Sequence, residues 1–153
     1  MPNHEANYDR QDRGFDLLRK ELPGFYAPTA AEKKKILEIL GISQRFKATF
    51  DAIRLNVPTF TEVQNARDFD LLELKVTDKF LPNLPEGFFF GLTHNEEMLL
   101  KVFEGKYFLC LVCMNPKSPS YKLVDWTQLE NLPQKKRVQY QINLKKAKAA
   151  TAR

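Results

Sequence analysis

From Thr29 onward the spacing of apolar residues switches between helical and strand-like periods. Thr29-Ala-Ala-Glu32 has the form of a capping box, in which the threonine hydroxyl takes the amide three residues on and the glutamate reaches back. Ile36, Leu37 and Leu40 then share one helical face, and Gly41 is a natural C-terminal stop. A second helix is predicted from Ser43, because Phe46, Phe50, Ile53 and Val57 recur at spacings of four, three and four up to Pro58. Beyond Pro58 the period becomes that of strands. Thr59–Val63 is β-prone, a turn falls around 65–68, and Phe69–Thr77 reads as a strand with Leu72, Leu74 and Val76 on one face. Pro82, Pro85 and Gly87 mark a loop, followed by a short strand over Phe88–Leu92. Thr93 or Asn95 can cap a helix running through Glu104. Lys106–Met114 is almost wholly apolar, as in a strand buried on both faces. Tyr121–Trp126 and the alternating Val138–Leu144 are predicted as the last two strands.

This order predicts an α/β fold with a mixed central sheet flanked by helices. Residues 1–28 are polar and broken by Pro23, Gly24 and Pro28. They read as an N-terminal extension, with one short helix carrying Phe15, Leu17 and Leu18 packed onto the domain. Residues 29–144 form the single domain, and 145–153 are a basic tail.

Composition narrows the classes. The 153 residues suffice for one domain with a real core. The longest apolar run, Tyr107–Met114, is far short of the ~20 residues of a membrane helix. No secretory signal is visible at the N-terminus, and two cysteines make no disulfide framework, so an intracellular, cytoplasmic protein is expected. The net charge is +5, unevenly spread: every acidic residue lies at or before Glu130, and seven basic residues follow Leu132. Such a basic end suits a polyanion, with Lys135, Lys136 and Arg137 as the candidate nucleic-acid contacts. The competing reading is a solubilising tail.

Glu73-Leu74-Lys75 is the candidate chemistry. On a strand, Glu73 and Lys75 stand side by side while Leu74 points the other way. A carboxylate that can hold a divalent cation through oxygen, beside an ammonium that offsets developing charge, suits phosphodiester hydrolysis. An exposed ion pair is the plainer reading of the same tripeptide.

The surrounding sequence, DFDLLELKVTDKFLPNLPEGFFFGLTHNEEMLLKVFEGKYFLCLVCMNP, resembles the restriction-endonuclease-like PD-(D/E)xK nuclease superfamily over residues 43–144. The likeness lies in the order of elements: Glu-x-Lys on a strand, a loop, a short aromatic strand, an Asn-Glu helix and a long apolar strand. It implies a restriction-endonuclease-like core and Mg²⁺-dependent endonuclease cleavage of DNA. It further implies Glu73 as metal ligand, Lys75 as catalytic lysine, and a homodimer as one possible assembly. One departure stands out. The family places an acidic residue, often after proline, on the preceding strand, and here Pro58 is followed by Thr59. Asp51, Glu62 and Asp70 are the available substitutes. If Phe60 pairs with Glu73, Glu62 lies on the Glu73 face; a one-residue slip turns it away. Asp70 is out of phase with Glu73 unless a bulge swings it inward. A nuclease fold that binds nucleic acid or a protein partner without cleaving is the alternative.

Other features read as structural. Cys110 and Cys113 fall on opposite faces of a strand, with no second Cys or His pair to complete a metal site. His94 can cap a helix or meet a phosphate. Residues 31–57 are similar to a helix-turn-helix module with Gln44–Leu55 as recognition helix, although Phe46, Phe50 and Ile53 favour ordinary packing of that helix.

Overall fold

Alternation along Phe69–Thr77 divides the protein into layers. Phe69 and Leu71 turn to one side, Leu72 and Leu74 to the other, and all four are buried. The computed structural model describes residues 4–147, with side chains from residue 10 onward. Five strands form one open mixed sheet in the order β1 (Phe25–Tyr26), β2 (Ala52–Leu55), β3 (Phe69–Thr77), β4 (Tyr107–Cys113) and β5 (Ser120–Val124). All neighbours are antiparallel except β3 and β4, which run parallel from Leu71↔Tyr107 to Thr77↔Cys113. A parallel step needs a crossover, and α3 (His94–Val102) lies on it. Helix α1 (His4–Glu21) covers one face, setting Leu18 among Ala52, Leu72, Leu74, Cys110 and Val112. On the other face α2 (Ala30–Leu40) and α3 bring Ile36, Leu37, Leu99 and Leu100 onto Ile53, Leu71, Tyr107 and Leu109. A short α4 (Trp126–Glu130) closes that layer. No helix among the described residues is long and apolar enough to cross a membrane.

Local signals explain the helix ends. Glu32 N donates to Thr29 Oγ1 at 3.2 Å and Thr29 N to Glu32 Oε1 at 2.8 Å, a closed capping box. Gly41 ends α2 in the left-handed region at φ 69°, where a side chain is disfavoured. Thr93, not Asn95, caps α3, and the helix stops at Val102 before Glu104. Cys110 and Cys113 are free and buried, as core residues.

Several expectations are overturned. Phe46 and Phe50 follow the predicted stripe into the core, but from a 3₁₀ turn over Gln44–Thr49 and its end. The chain then extends into β2, where Ile53 pairs with Leu71. No recognition helix exists over 44–55, and the helix-turn-helix reading falls with it. Phe60–Glu62 is a 3₁₀ turn closed by a cap rather than part of a strand, so β3 pairs with β2 and neither Phe60 register applies. Residues 88–92 form no strand: Phe88 and Phe90 meet edge to face at 6.0 Å while Phe89 points outward. β5 ends at Val124, and Trp126 begins α4. Val138–Leu144 has the alternation of a strand but no ladder partner among the described residues; its four apolar residues are 80–89% exposed. A strand needs a neighbour to satisfy its backbone, which a sequence pattern alone does not supply. The helix expected around Phe15, Leu17 and Leu18 is present as α1 and packs onto the sheet, burying Leu18 completely.

If α1 is part of the core, Leu18→Ala should lower unfolding free energy by about 3 kcal/mol, the usual scale for a buried leucine. Urea denaturation checks this, and a loss under about 1 kcal/mol would make α1 an accessory layer.

Candidate active site

Strand pairing brings the charged groups together. The β2–β3 register ends at Ala52↔Leu72, and continuing it by one residue sets Asp51 against Glu73. Asp51 is fixed there by its backbone and side chain: its amide donates to Leu72 O at 2.9 Å, and its Oδ2 accepts from Leu74 N at 2.9 Å. These two bonds bracket Glu73. Gln11 of α1 also donates to Asp51 Oδ2, at 3.3 Å. On the Glu73 face of β3 stands Lys75, whose Nζ lies 2.9 and 3.1 Å from the two carboxylate oxygens of Glu96. Glu96 occupies the first turn of α3 and closes the Thr93 capping box, with Oε1 accepting from Thr93 N at 3.0 Å.

The electrostatics of this cluster are unusual. Glu73 is only 6% exposed, and its Oε2 is buried without a hydrogen-bond partner. Burial above all pushes the Glu73 pKa up to about 11; a hydrogen bond to Asp51 and the charges of Asp51 and Glu96 add to this, while Lys75 opposes it. A proton on Glu73 lets it donate to Asp51, which relieves two like charges held side by side. The Tyr107 hydroxyl is raised above its usual range by burial first, then by the nearby charges of Glu73, Glu96 and Asp51. It donates to Thr49 O beneath the cluster.

The sequence-derived candidates fall in different places. Glu73 and Lys75 share one face of β3, as the spacing requires, and Asp51 joins them. Asp70 does not: β3 carries no bulge there, so Asp70 faces the α1 layer and accepts from Arg54 Nη2 at 2.9 Å. Glu62 is spent on its own 3₁₀ turn, exposed, with Oε2 accepting from Thr59 N at 3.1 Å. Among the described residues, no group of three or more His, Cys, Asp or Glu is gathered closely enough to hold a metal ion. Glu96 had no prominence in the sequence. Its signal was its place three residues after Thr93, in a helix following the Glu-x-Lys strand.

Lys135, Lys136 and Arg137 lie exposed on the irregular segment after α4, and Lys136 reaches Glu130 at 3.4 Å. This segment runs near α3. The Glu97 carboxyl is held below its usual range by its hydrogen bond from Lys101, against the upward push of burial. The charges of Lys101, Lys136 and His94 add to that lowering. Lys148 and Arg153 of the basic tail lie outside the described residues.

The raised Glu73 pKa fixes a pH dependence. A carboxyl with pKa 4.5 when unfolded and about 11 when folded favours the fold only in its protonated state. That contribution is complete below pH 4.5 and is lost as pH rises toward 11. In chelator, Glu73→Gln should therefore raise stability at pH 7 by about 3 kcal/mol, the value of about 2.5 pKa units. The gain should shrink to nearly nothing at pH 4. Thermal melts at the two pH values check this, and an equal effect at both would refer the stabilisation to packing instead.

The chain matches no protein-family model, no curated protein and no solved structure.

Proposed function

We propose that this domain is a Mg²⁺-dependent endonuclease that hydrolyses DNA phosphodiester bonds, built on a restriction-endonuclease-like core. The observation that carries the reading is the orphaned Glu73 Oε2, buried beside the Asp51 carboxyl on the face that also presents Lys75. A buried carboxylate oxygen without a donor is expensive to keep, and a hard cation bound through oxygen satisfies it. Asp51 also supplies the acidic group that Thr59 cannot. Mg²⁺ commonly takes only one or two carboxylates and completes its shell with water and substrate phosphate. Two neighbouring carboxylates therefore fit it, even though no group of three or more ligands is assembled.

In this reading Asp51 and Glu73 hold the cation, which when bound supplies Lewis-acid polarisation of the phosphate and a more acidic water. Lys75, held in place by its ion pair with Glu96, donates to a phosphate oxygen and offsets the charge that develops on it. The Lys135–Arg137 cluster, beside α3, holds the backbone of the duplex by charge alone.

The absence of a three-ligand group among the described residues, with Lys75 already engaged by Glu96, favours a second reading: a domain that binds DNA without cutting it. Cleavage assays with Mg²⁺ or Mn²⁺ decide between them. The wild-type protein should cut and Lys75→Ala should lose at least about 100-fold, a usual scale for a lost charge-stabilising donor. Equal activity in both proteins, or none in either across several substrates, would sink the nuclease reading.

Neutralising Lys135, Lys136 and Arg137 should flatten the plot of log affinity against log salt by about 0.9 per lost phosphate contact on duplex DNA, without changing sequence preference. Because Val138–Leu144 forms no strand, only the Lys136–Glu130 ion pair sets the support of these residues apart from that of Lys145 and Lys146 among the described residues. Removing either cluster should therefore reduce the slope. An unchanged slope in both would leave the basic end a solubilising tail.

A further inference from the structure

We propose that Glu96 is a positioning residue: its carboxylate holds the Lys75 ammonium away from Asp51 and Glu73, leaving those two carboxylates free to take a divalent cation. The inference rests on the metal-site reading above and extends it to α3.

The geometry poses a question that Glu96 answers. Lys75 shares a strand face with Glu73, two residues away, and has a flexible four-carbon stem. Glu73 Oε2 is buried without a donor. An ammonium so placed would ordinarily turn to that oxygen. It does not, because both oxygens of Glu96 take it, at 2.9 and 3.1 Å. Glu96 is itself held rigidly. It is 5% exposed, its Oε1 accepts from Thr93 N at 3.0 Å, and its amide donates to Thr93 Oγ1 at 3.1 Å. The first turn of α3 also favours an anion there.

Charge decides what happens without it. The other acidic groups of the cluster are Asp51 and Glu73, and Lys75 lies close enough to Glu73 to act on its charge. A released ammonium would settle on the oxygens a hard cation needs, and would repel that cation as well. A plain helix cap explains less. The cap needs only an acceptor, which glutamine provides, whereas restraint of the lysine needs the charge.

Mn²⁺ titrations followed by thermal shift separate these roles in the full chain. Glu96→Gln keeps the cap acceptor and should weaken Mn²⁺ binding about tenfold, the lower end of the range for residues that orient metal ligands. Glu96→Asp, with charge but shorter reach, should fall between Glu96→Gln and wild type. Adding Lys75→Ala to Glu96→Gln should restore wild-type affinity or better, since the competing ammonium is gone. Thr93→Ala, which removes only the cap hydroxyl, should leave Mn²⁺ affinity within about twofold. Unchanged binding in Glu96→Gln overturns the inference. So does a double variant as weak as Glu96→Gln, or a Thr93→Ala loss as large as that of Glu96→Gln. A wild-type protein with no Mn²⁺-dependent shift overturns this inference and the metal site together. The expected pattern in a protein that cuts no DNA supports the inference and overturns the nuclease reading alone.

Discussion

Asp51 and Glu73 meet because two antiparallel strands end in register, and side-chain movement alone cannot part them while the ladder holds. Like charges opposite one another weaken a sheet, and burial makes the conflict worse. Asp51 is tied through its amide and its carboxylate to the residues on either side of Glu73. The conflict must then be resolved by a proton, an ammonium or a metal cation. The surrounding arrangement bears on that choice. Lys75 is the nearest ammonium and is drawn off by Glu96, while Tyr107 spends its hydroxyl on Thr49.

β3 makes the contrast within nine residues. On the α1 face, Asp70 finds Arg54 across the β2 pairing, and Arg54 also lies over the Phe108 ring. That carboxylate is neutralised and structural. On the opposite face, three residues along, Glu73 meets another acid instead of a base. The same strand thus carries one carboxylate that serves the fold and one that works against it, and departures of the second kind gather at functional sites.

Those elements whose causes are local could be read from the sequence. The Thr29 box and Gly41 bound α2 because each acts within four residues. The Glu73–Lys75 spacing put both on one face because strand alternation is a property of the backbone. Lys106–Met114 read as a buried strand from its composition, and β4 fills Tyr107–Cys113 of it. Causes that act at a distance stayed hidden. Phe46, Phe50 and Ile53 recur at helical spacing, yet a 3₁₀ turn followed by a strand buries the same three side chains; only the pairing of Ile53 with Leu71 separates the two. Asp51 was one acid among three until the β2–β3 register set it against Glu73. Glu96 could be seen only once the crossover had brought α3 over β3.

The exposed stripe Val138, Tyr140, Ile142 and Leu144 bears on how the protein behaves when concentrated. Seven residues of alternating apolar and polar character, with no proline or glycine among them, resemble the segments that template intermolecular sheets. Lysines and an arginine stand directly before this stretch, and two lysines directly after it. Charges in those positions act as gatekeepers, because stacking one copy on another would bring like charges together at both ends. High salt screens that repulsion. The ionic strength that loosens any grip on a polyanion therefore also favours self-association through this stripe.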